Sequence, residues 1–219
     1  MKKLISLFLC FTFLTFSGAS VFADTKPNET FESLITYYIE KQAETKVYNT
    51  ENVDITEEFF SVIKPYYDQN DFTSIKFYMN QNVSKLLQIN YTDSNPLTRA
   101  TKSKSISGRQ TISLRDDPRL DGWLYMDIRG DFTYDVVDEL ILTAYNPTLT
   151  DYGVVDFPNW YFEYKNISTS SRISANKTTA YFSASLTLYG REIYTTRSLN
   201  GDWDFTKSCK GEISGGIWS

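Results

Sequence analysis

The sequence contains no histidine and only two cysteines among its 219 residues. Without an imidazole, the chain cannot form a Ser–His–Asp or Cys–His catalytic group, because these need histidine to accept the proton. Zinc sites usually require several His or Cys ligands, so nearly all of them are excluded as well. The phosphate-binding motifs G-x-x-x-x-G-K-[ST] and G-x-G-x-x-G are also absent. We therefore expect no metal ion, no cofactor and no nucleotide chemistry.

The N-terminus has the parts of a secretory signal peptide. Lys2 and Lys3 precede an apolar run from Leu4 to Phe16, and small residues stand at Val21 and Ala23. A membrane-spanning helix needs roughly 20 apolar residues, and this run is shorter. We expect residues 1–23 to be a signal peptide that is cleaved after Ala23. The mature chain would then be secreted to the extracellular space, with no attachment to a membrane.

The two cysteines also bear on the compartment. Cys10 lies in the apolar run of the signal peptide, so Cys209 alone would remain after cleavage and no intramolecular disulfide could form. Secreted animal proteins of this size usually carry several disulfides, and their absence favours a bacterial source. Lys207 and Lys210 could lower the pKa of the Cys209 thiol and make it reactive. The favoured interpretation is a structural cysteine, because no second cysteine or histidine is present as a partner.

Charge argues against two classes of partner. The chain has 22 basic and 27 acidic residues, a net charge of −5, and loss of Lys2 and Lys3 makes the mature form still more acidic. Nucleic acids and anionic lipids are polyanions, which an acidic protein repels. We therefore predict no nucleic-acid partner. The oligomeric state is left open.

The first part of the mature chain, residues 24–91, has the apolar spacing of helices. Phe31, Leu34, Ile35 and Tyr38 lie on one helical face, and Asp54 to Glu57 resemble a capping box. A third helical pattern places Ile75, Tyr78, Met79, Val83, Leu86 and Leu87 together. Residues 92–107 are polar and contain Pro96, which predicts either a linker between domains or a surface loop within one domain.

Residues 108–219 change to the two-residue period of strands with one solvated face. Turns are predicted at 188–191 and at 199–202, the second around an Asn-Gly pair. The fold class is therefore α+β, with a short helical segment followed by an antiparallel β-sandwich of about seven strands. The alternative is a single curved sheet covered by the helices. The alternating apolar positions are Leu124, Met126, Ile128, Phe132 and Tyr134, then Trp160, Phe162 and Tyr164, then Ala180, Phe182, Ala184, Leu186 and Leu188.

Carboxylates are the catalytic groups that remain. Asp127 and Asp131 lie on one strand face, roughly 13 Å apart at the usual rise per residue. That separation exceeds the usual distance between the paired carboxylates of glycosidases. Asp116, Asp117 and Asp121 could contact calcium, although their spacing does not match an EF-hand loop. We expect these residues to be solvated surface charges, with no catalytic or metal site.

Exposed aromatic residues are the most informative feature for function. Rings on the solvated face of the sheet could form a ligand-binding platform, because tyrosine combines a flat apolar face with a polar end. The competing interpretation is that these rings pack beneath the helices. The candidate ligand-binding residues are Trp123, Tyr125, Tyr161, Tyr181 and Tyr189.

The leading hypothesis is a secreted, non-enzymatic binding or surface-interaction module whose partner is a cell-surface glycan or protein. Two alternatives remain. One is a secreted intercellular or immunity-type factor, and the other is a carboxylate-dependent hydrolase acting on glycans. No sequence motif is specific enough to choose among the three.

Overall fold

The computed structural model describes residues 29–93, 101–115, 121–157, 160–192 and 204–217. The predicted signal peptide, the acidic pair Asp116 and Asp117, and the predicted turn at 199–202 lie outside these residues. No helix in the described ranges is long and apolar enough to cross a membrane.

Three α-helices and eight β-strands make up the described chain, together with one turn of 3₁₀ helix at Gln42–Glu44. Every strand pairing is antiparallel. The helices are α1 (Phe31–Glu40), α2 (Thr56–Asp68) and α3 (Phe72–Asn82), and the strands are β1 (Thr45–Tyr48), β2 (Lys85–Asp93), β3 (Thr101–Ser113), β4 (Trp123–Asp135), β5 (Leu140–Val155), β6 (Trp160–Ile173), β7 (Thr179–Glu192) and β8 (Asp204–Gly216).

The strands form two sheets. Sheet A has five strands in the order β1-β2-β3-β4-β5, and sheet B has three in the order β6-β7-β8. Apolar residues of both sheets meet in one buried core, so the sheets pack face to face as a sandwich. The predicted α+β class, with helices before an antiparallel sandwich, is confirmed.

Strand β4 shows how the alternating pattern builds two cores. Leu124, Met126 and Ile128 point toward sheet B, whereas Trp123 and Tyr125 point to the other side of sheet A. Burying one such apolar side chain stabilises the fold by roughly 1.5–3 kcal/mol. Strand β4 therefore contributes to packing on both of its faces.

The helices cover part of the outer face of sheet A, the face that points away from sheet B. The predicted stripe of α1 is buried at Phe31, Leu34, Ile35 and Tyr38, in a core that also contains residues of sheet A. Thr30 caps this helix, because its side-chain oxygen accepts a hydrogen bond from the backbone N–H of Ser33. The result is three layers: helices, sheet A and sheet B.

Strands β1 and β2 arise within the segment that was predicted to be helical. Helix α3 ends at Asn82, and Leu86 and Leu87, which the spacing placed on that helix, belong to β2. Leu86 packs in the helix-side core and Leu87 against the inter-sheet core. Short apolar runs are compatible with either period, which explains the difference.

Two further local predictions need correction. The polar segment 92–107 is strand at both described ends, because Thr92 and Asp93 end β2 and 101–107 begin β3. The turn predicted at 188–191 lies inside β7. Gly190 is needed there to make room, since a methyl group at this position would overlap the ring of Phe205.

Candidate binding surface

The structure separates the five predicted ligand-binding rings into two groups. Trp123 and Tyr125 are buried in the helix-side core, with exposures of 0% and 6%. The expectation of a shared exposed platform is corrected for these two residues, because the helices pack directly over the first half of β4. They contribute to packing and cannot contact a ligand on the surface.

Tyr161, Tyr181 and Tyr189 lie on the outer face of sheet B, and all three are partly exposed. The even-numbered residues of β7 fill the inter-sheet core, so Tyr181 and Tyr189 point outward. These two are eight residues apart along β7, a separation of roughly 26 Å at the usual strand rise. They therefore occupy opposite ends of the face.

Hydroxyl groups fill the middle of this outer face. The pairing register aligns Ser168 with Ser185 and Ser170 with Ser183, and Thr187 with Ser208 on the other side. No described residue of the helices or of sheet A packs against this face, because both lie on the other side of sheet B. The face thus combines tyrosine, serine and threonine with charged residues, which are Glu163, Lys165, Arg172, Arg191, Lys210 and Glu212.

A cleft of about 230 Å³ lies at one end of the outer face, and we call it the Tyr161–Tyr189 cleft. Tyr161 pairs with Arg191, and Glu163 pairs with Tyr189, so the two rings are diagonal neighbours on adjacent strands. The cleft is lined by Tyr161, Glu163, Tyr189, Gly190, Arg191, Phe205 and Thr206.

The floor of this cleft is firmly packed. Phe205 belongs to an aromatic cluster in which its ring centroid lies 5.2 Å from that of Trp160 and 6.1 Å from that of Phe162. Gly190 allows Phe205 to approach the backbone of β7. Because these groups are fixed by core packing, the lining of the cleft is preorganised.

Charged groups surround Tyr189. The Nζ of Lys165 lies 2.8 Å from Glu163 Oε2 and 4.7 Å from the centroid of the Tyr189 ring. The hydrogen bond and the charge of Glu163 raise the pKa of Lys165. Lys165 therefore stays protonated at any physiological pH and supplies hydrogen-bond donors beside the ring.

The other end of the face is arranged differently. The guanidinium carbon of Arg172 lies 3.6 Å from the centroid of the Tyr181 ring, so it covers one face of that ring. Arg172 also forms an ion pair with Glu212 at 3.3 Å, and Glu212 accepts a hydrogen bond of 2.8 Å from Ser183. Tyr181 therefore already has a cationic partner on its ring.

Asp127 and Asp131 each accept hydrogen bonds from other residues of sheet A. Both oxygens of Asp127 accept hydrogen bonds from Arg109, at 2.7 and 2.9 Å. Asp131 accepts from Ser105 at 2.6 Å and from Asn146 at 3.1 Å. Both carboxylates are therefore held by neighbours in sheet A.

Arg109 is a structural residue that the sequence analysis did not single out. Its guanidinium lies between the rings of Tyr37 and Tyr125, at 4.6 and 4.4 Å, and it also contacts Glu29 at 3.1 Å. Burial lowers the pKa of Arg109, but the hydrogen bonds and charge of Asp127 and the charge of Glu29 raise it overall. A permanently charged Arg109 thus holds Glu29 and Tyr37 of α1 against sheet A.

Cys209 is buried in the inter-sheet core. Burial raises the pKa of its thiol, and the nearby charge of Lys207 only partly opposes this. A buried thiol with a raised pKa is a poor nucleophile, which supports the structural interpretation of this cysteine.

Among the residues that the structure describes, no three Asp, Glu or Cys side chains are grouped so that they could hold a metal ion. Comparison of the chain with protein-family models, curated proteins and solved structures found no match.

Proposed function

We propose that this chain is a secreted extracellular binding protein that recognises a glycan through the Tyr161–Tyr189 cleft. The observation that carries the proposal is the uncovered outer face of sheet B. Helices cover the corresponding aromatic residues of sheet A, whereas Tyr161 and Tyr189 remain accessible beside a preorganised cleft. The signal-peptide features of residues 1–23 support secretion.

The size of the cleft supports recognition of one unit of a larger ligand. Its volume of about 230 Å³ is below the roughly 300–1,000 Å³ that is usual for pockets enclosing a whole small molecule. A single sugar ring or side chain would occupy it, while the rest of the ligand would lie along the serine- and threonine-rich middle of the face.

The chemistry of the lining favours a sugar over an apolar side chain. Glu163 accepts hydrogen bonds, Arg191 donates them, and Thr206 can do both. Sugar hydroxyls also donate and accept, so they match this mixed set. The faces of Tyr161 and Tyr189 offer apolar area for the C–H side of a sugar ring.

Binding without hydrolysis is supported by the described lining. Glycosidases use two carboxyl groups on either side of the bond that is cleaved. Of the described side chains that line the cleft, Glu163 is the one carboxylate, and Lys165 already pairs with it.

The proposal is tested by measuring binding of purified residues 24–219 to glycan arrays and to intact cells. We expect saturable binding that falls by about 30-fold in Tyr161→Ala or Tyr189→Ala, the effect of losing about 2 kcal/mol at a central aromatic contact. Tyr181→Ala is the matched control, because it removes a ring from the far end of the same strand face. Absence of binding to any glycan, or an equal loss in the Tyr181 variant, would contradict the proposal.

A further inference from the structure

Part of the outer face of sheet A extends beyond the helices, and we call it the open half-face. It begins at the row formed by Asn90 of β2, Ser107 of β3, Arg129 of β4 and Thr148 of β5, which the pairing register aligns. Ser107, Arg129 and Thr148 are all exposed. The residues of β4 in the helix-side core, by contrast, are Trp123 and Tyr125.

Arg129 is an unpaired cation in this first row of the half-face. It forms no hydrogen bond or ion pair through its side chain with any residue in the described ranges. The other described arginines all have partners: Arg109, Arg115 and Arg172 each pair with a carboxylate, and Arg191 also has an interaction. A guanidinium that the fold itself does not use is available to a ligand.

The neighbouring carboxylates do not neutralise Arg129. Asp127 and Asp131 flank it on the same strand face, yet Arg109 holds the first and Ser105 and Asn146 hold the second. Their charges nevertheless remain close by. A densely charged polyanion would be repelled by them, whereas a ligand with one anionic group could place that group on Arg129.

The backbone opposite Arg129 is irregular on both sides. Strand β5 shifts register between the partners of Asp127 and Ile128 and again between those of Arg129 and Asp131. Asn146, in the second irregularity, adopts a left-handed conformation with φ of 51°. Bulges of this kind redirect side chains and are common beside binding sites, so β5 presents Asn146 and Thr148 as polar neighbours of Arg129.

We infer that the open half-face binds a glycan that carries isolated uronic-acid carboxylates. The guanidinium of Arg129 would donate two parallel hydrogen bonds to the carboxylate. Ser107 and Asn90 would contact the sugar hydroxyls, because hydroxyl and amide groups both donate and accept. This surface lies on sheet A and the Tyr161–Tyr189 cleft on sheet B, so the inference does not depend on the proposed function.

The test measures binding of the full mature chain to glucuronate-containing oligosaccharides and to the same oligosaccharides after carboxyl reduction. We expect the acidic forms to bind at least tenfold more tightly, and Arg129→Gln to abolish that difference while leaving binding of the reduced forms unchanged. Arg129→Lys should retain part of the preference, because lysine keeps the charge but loses the bidentate geometry. Arg172→Gln, which removes an exposed guanidinium from sheet B outside the Tyr161–Tyr189 cleft, is the matched control and should leave the preference intact.

Several outcomes would overturn the inference. Equal affinity for acidic and reduced oligosaccharides, an unaltered preference in Arg129→Gln, or no binding at millimolar concentration would each do so. Tighter binding of a glutamate-containing neutral peptide than of the oligosaccharides would assign the surface to a protein partner instead. Arg129 is exposed, so the thermal unfolding of its variants should match that of the parent and verify that they are folded.

Discussion

Strands β4 and β7 both place apolar residues at even-numbered positions in the inter-sheet core. Their aromatic residues at odd-numbered positions differ in exposure to solvent. Trp123 and Tyr125 of β4 are buried beneath the helices, whereas Tyr181 and Tyr189 of β7 are partly exposed on sheet B. The difference comes from position in the fold, because sheet A is the middle of three layers and sheet B is an outer one.

Charged residues follow the same division. Arg109 and Asp127 of sheet A form a bidentate pair that two tyrosine rings and Glu29 enclose. Lys165 and Glu163 of sheet B form a single contact on an exposed surface. The first pair holds elements of the fold together, and the second lies on the uncovered face, beside the cleft proposed to bind a glycan. The environment of a tyrosine or an ion pair in this fold therefore depends on whether another layer covers it.

The largest expected effect comes from truncating a covered ring. Trp123→Ala should lower the free energy of unfolding by about 3–5 kcal/mol, because it leaves a cavity in the helix-side core. Tyr189→Ala, on the uncovered face, should lower it by less than about 1 kcal/mol. Urea unfolding followed by far-UV circular dichroism measures both.

Trp123→Phe sharpens this test. The indole N–H of Trp123 has no hydrogen-bond partner among the described residues, so phenylalanine keeps one aromatic ring and removes an unsatisfied donor together with part of the indole volume. We expect most of the stability to return in this variant. Equal destabilisation by the alanine variants at positions 123 and 189 would show that the two faces are not covered differently.

The second-largest expected effect on the free energy of unfolding comes from breaking the covered ion pair of Arg109 and Asp127. Arg109→Met leaves the carboxylates of Asp127 and Glu29 without their cation, and we expect a loss of about 3 kcal/mol in the free energy of unfolding. Arg129→Met, a substitution of the exposed arginine on the next row of the same face, should change it by less than about 0.5 kcal/mol.

A double variant separates the pair from general damage. Arg109→Met combined with Asp127→Leu removes both main partners, and replacing a buried ion pair with apolar groups is often close to neutral. The double variant should therefore be more stable than Arg109→Met alone. If the double variant is less stable than Arg109→Met, the loss of stability comes from lost packing against Tyr37 and Tyr125. The broken ion pair would then not be its cause.

The elements that sequence analysis predicted correctly are those whose signal is local. The stripe of Phe31, Leu34 and Ile35 defines α1, and the alternation from Leu124 onward defines β4. These patterns repeat over ten or more residues, so the period is unambiguous.

Elements whose stability comes from distant partners were not predictable in this way. The first part of β3, 101–107, is polar on its outer side and contains one fully buried apolar residue, Ile106. It is a strand because β2 and β4 pair with it on both sides. Its own composition resembles a loop, and pairing depends on residues far away in the chain.

The candidate site shows the same limit. Tyr161 and Tyr189 were both identified as candidates, but their diagonal placement across β6 and β7 depends on the register of that hairpin. Asp127 was identified too, whereas its partner Arg109 lies on the neighbouring strand, 18 residues earlier. Without the register, a carboxylate that stabilises the fold cannot be distinguished from one that is available to a ligand.

The smallest expected effect is the change in the free energy of unfolding with pH that the covered tyrosines produce. Burial raises the pKa of Tyr38 and of Tyr125 above the ordinary value of 10.0. The unfolded chain therefore loses these protons at a lower pH than the folded chain does. The stability that depends on them is complete below about pH 10 and declines as the pH rises beyond it, by about 1.4 kcal/mol per pH unit for each such group.

Tyr38→Phe provides the variant for this measurement, because it removes the phenol and keeps the ring. At neutral pH it should cost about 1 kcal/mol, since the hydroxyl of Tyr38 shares a hydrogen bond of 2.7 Å with Thr111. Between pH 10 and 11 it should lose less stability than the parent, because one fewer phenol ionises on unfolding. The same alkaline slope in Tyr38→Phe as in the parent would mean that the helices do not protect Tyr38 from solvent.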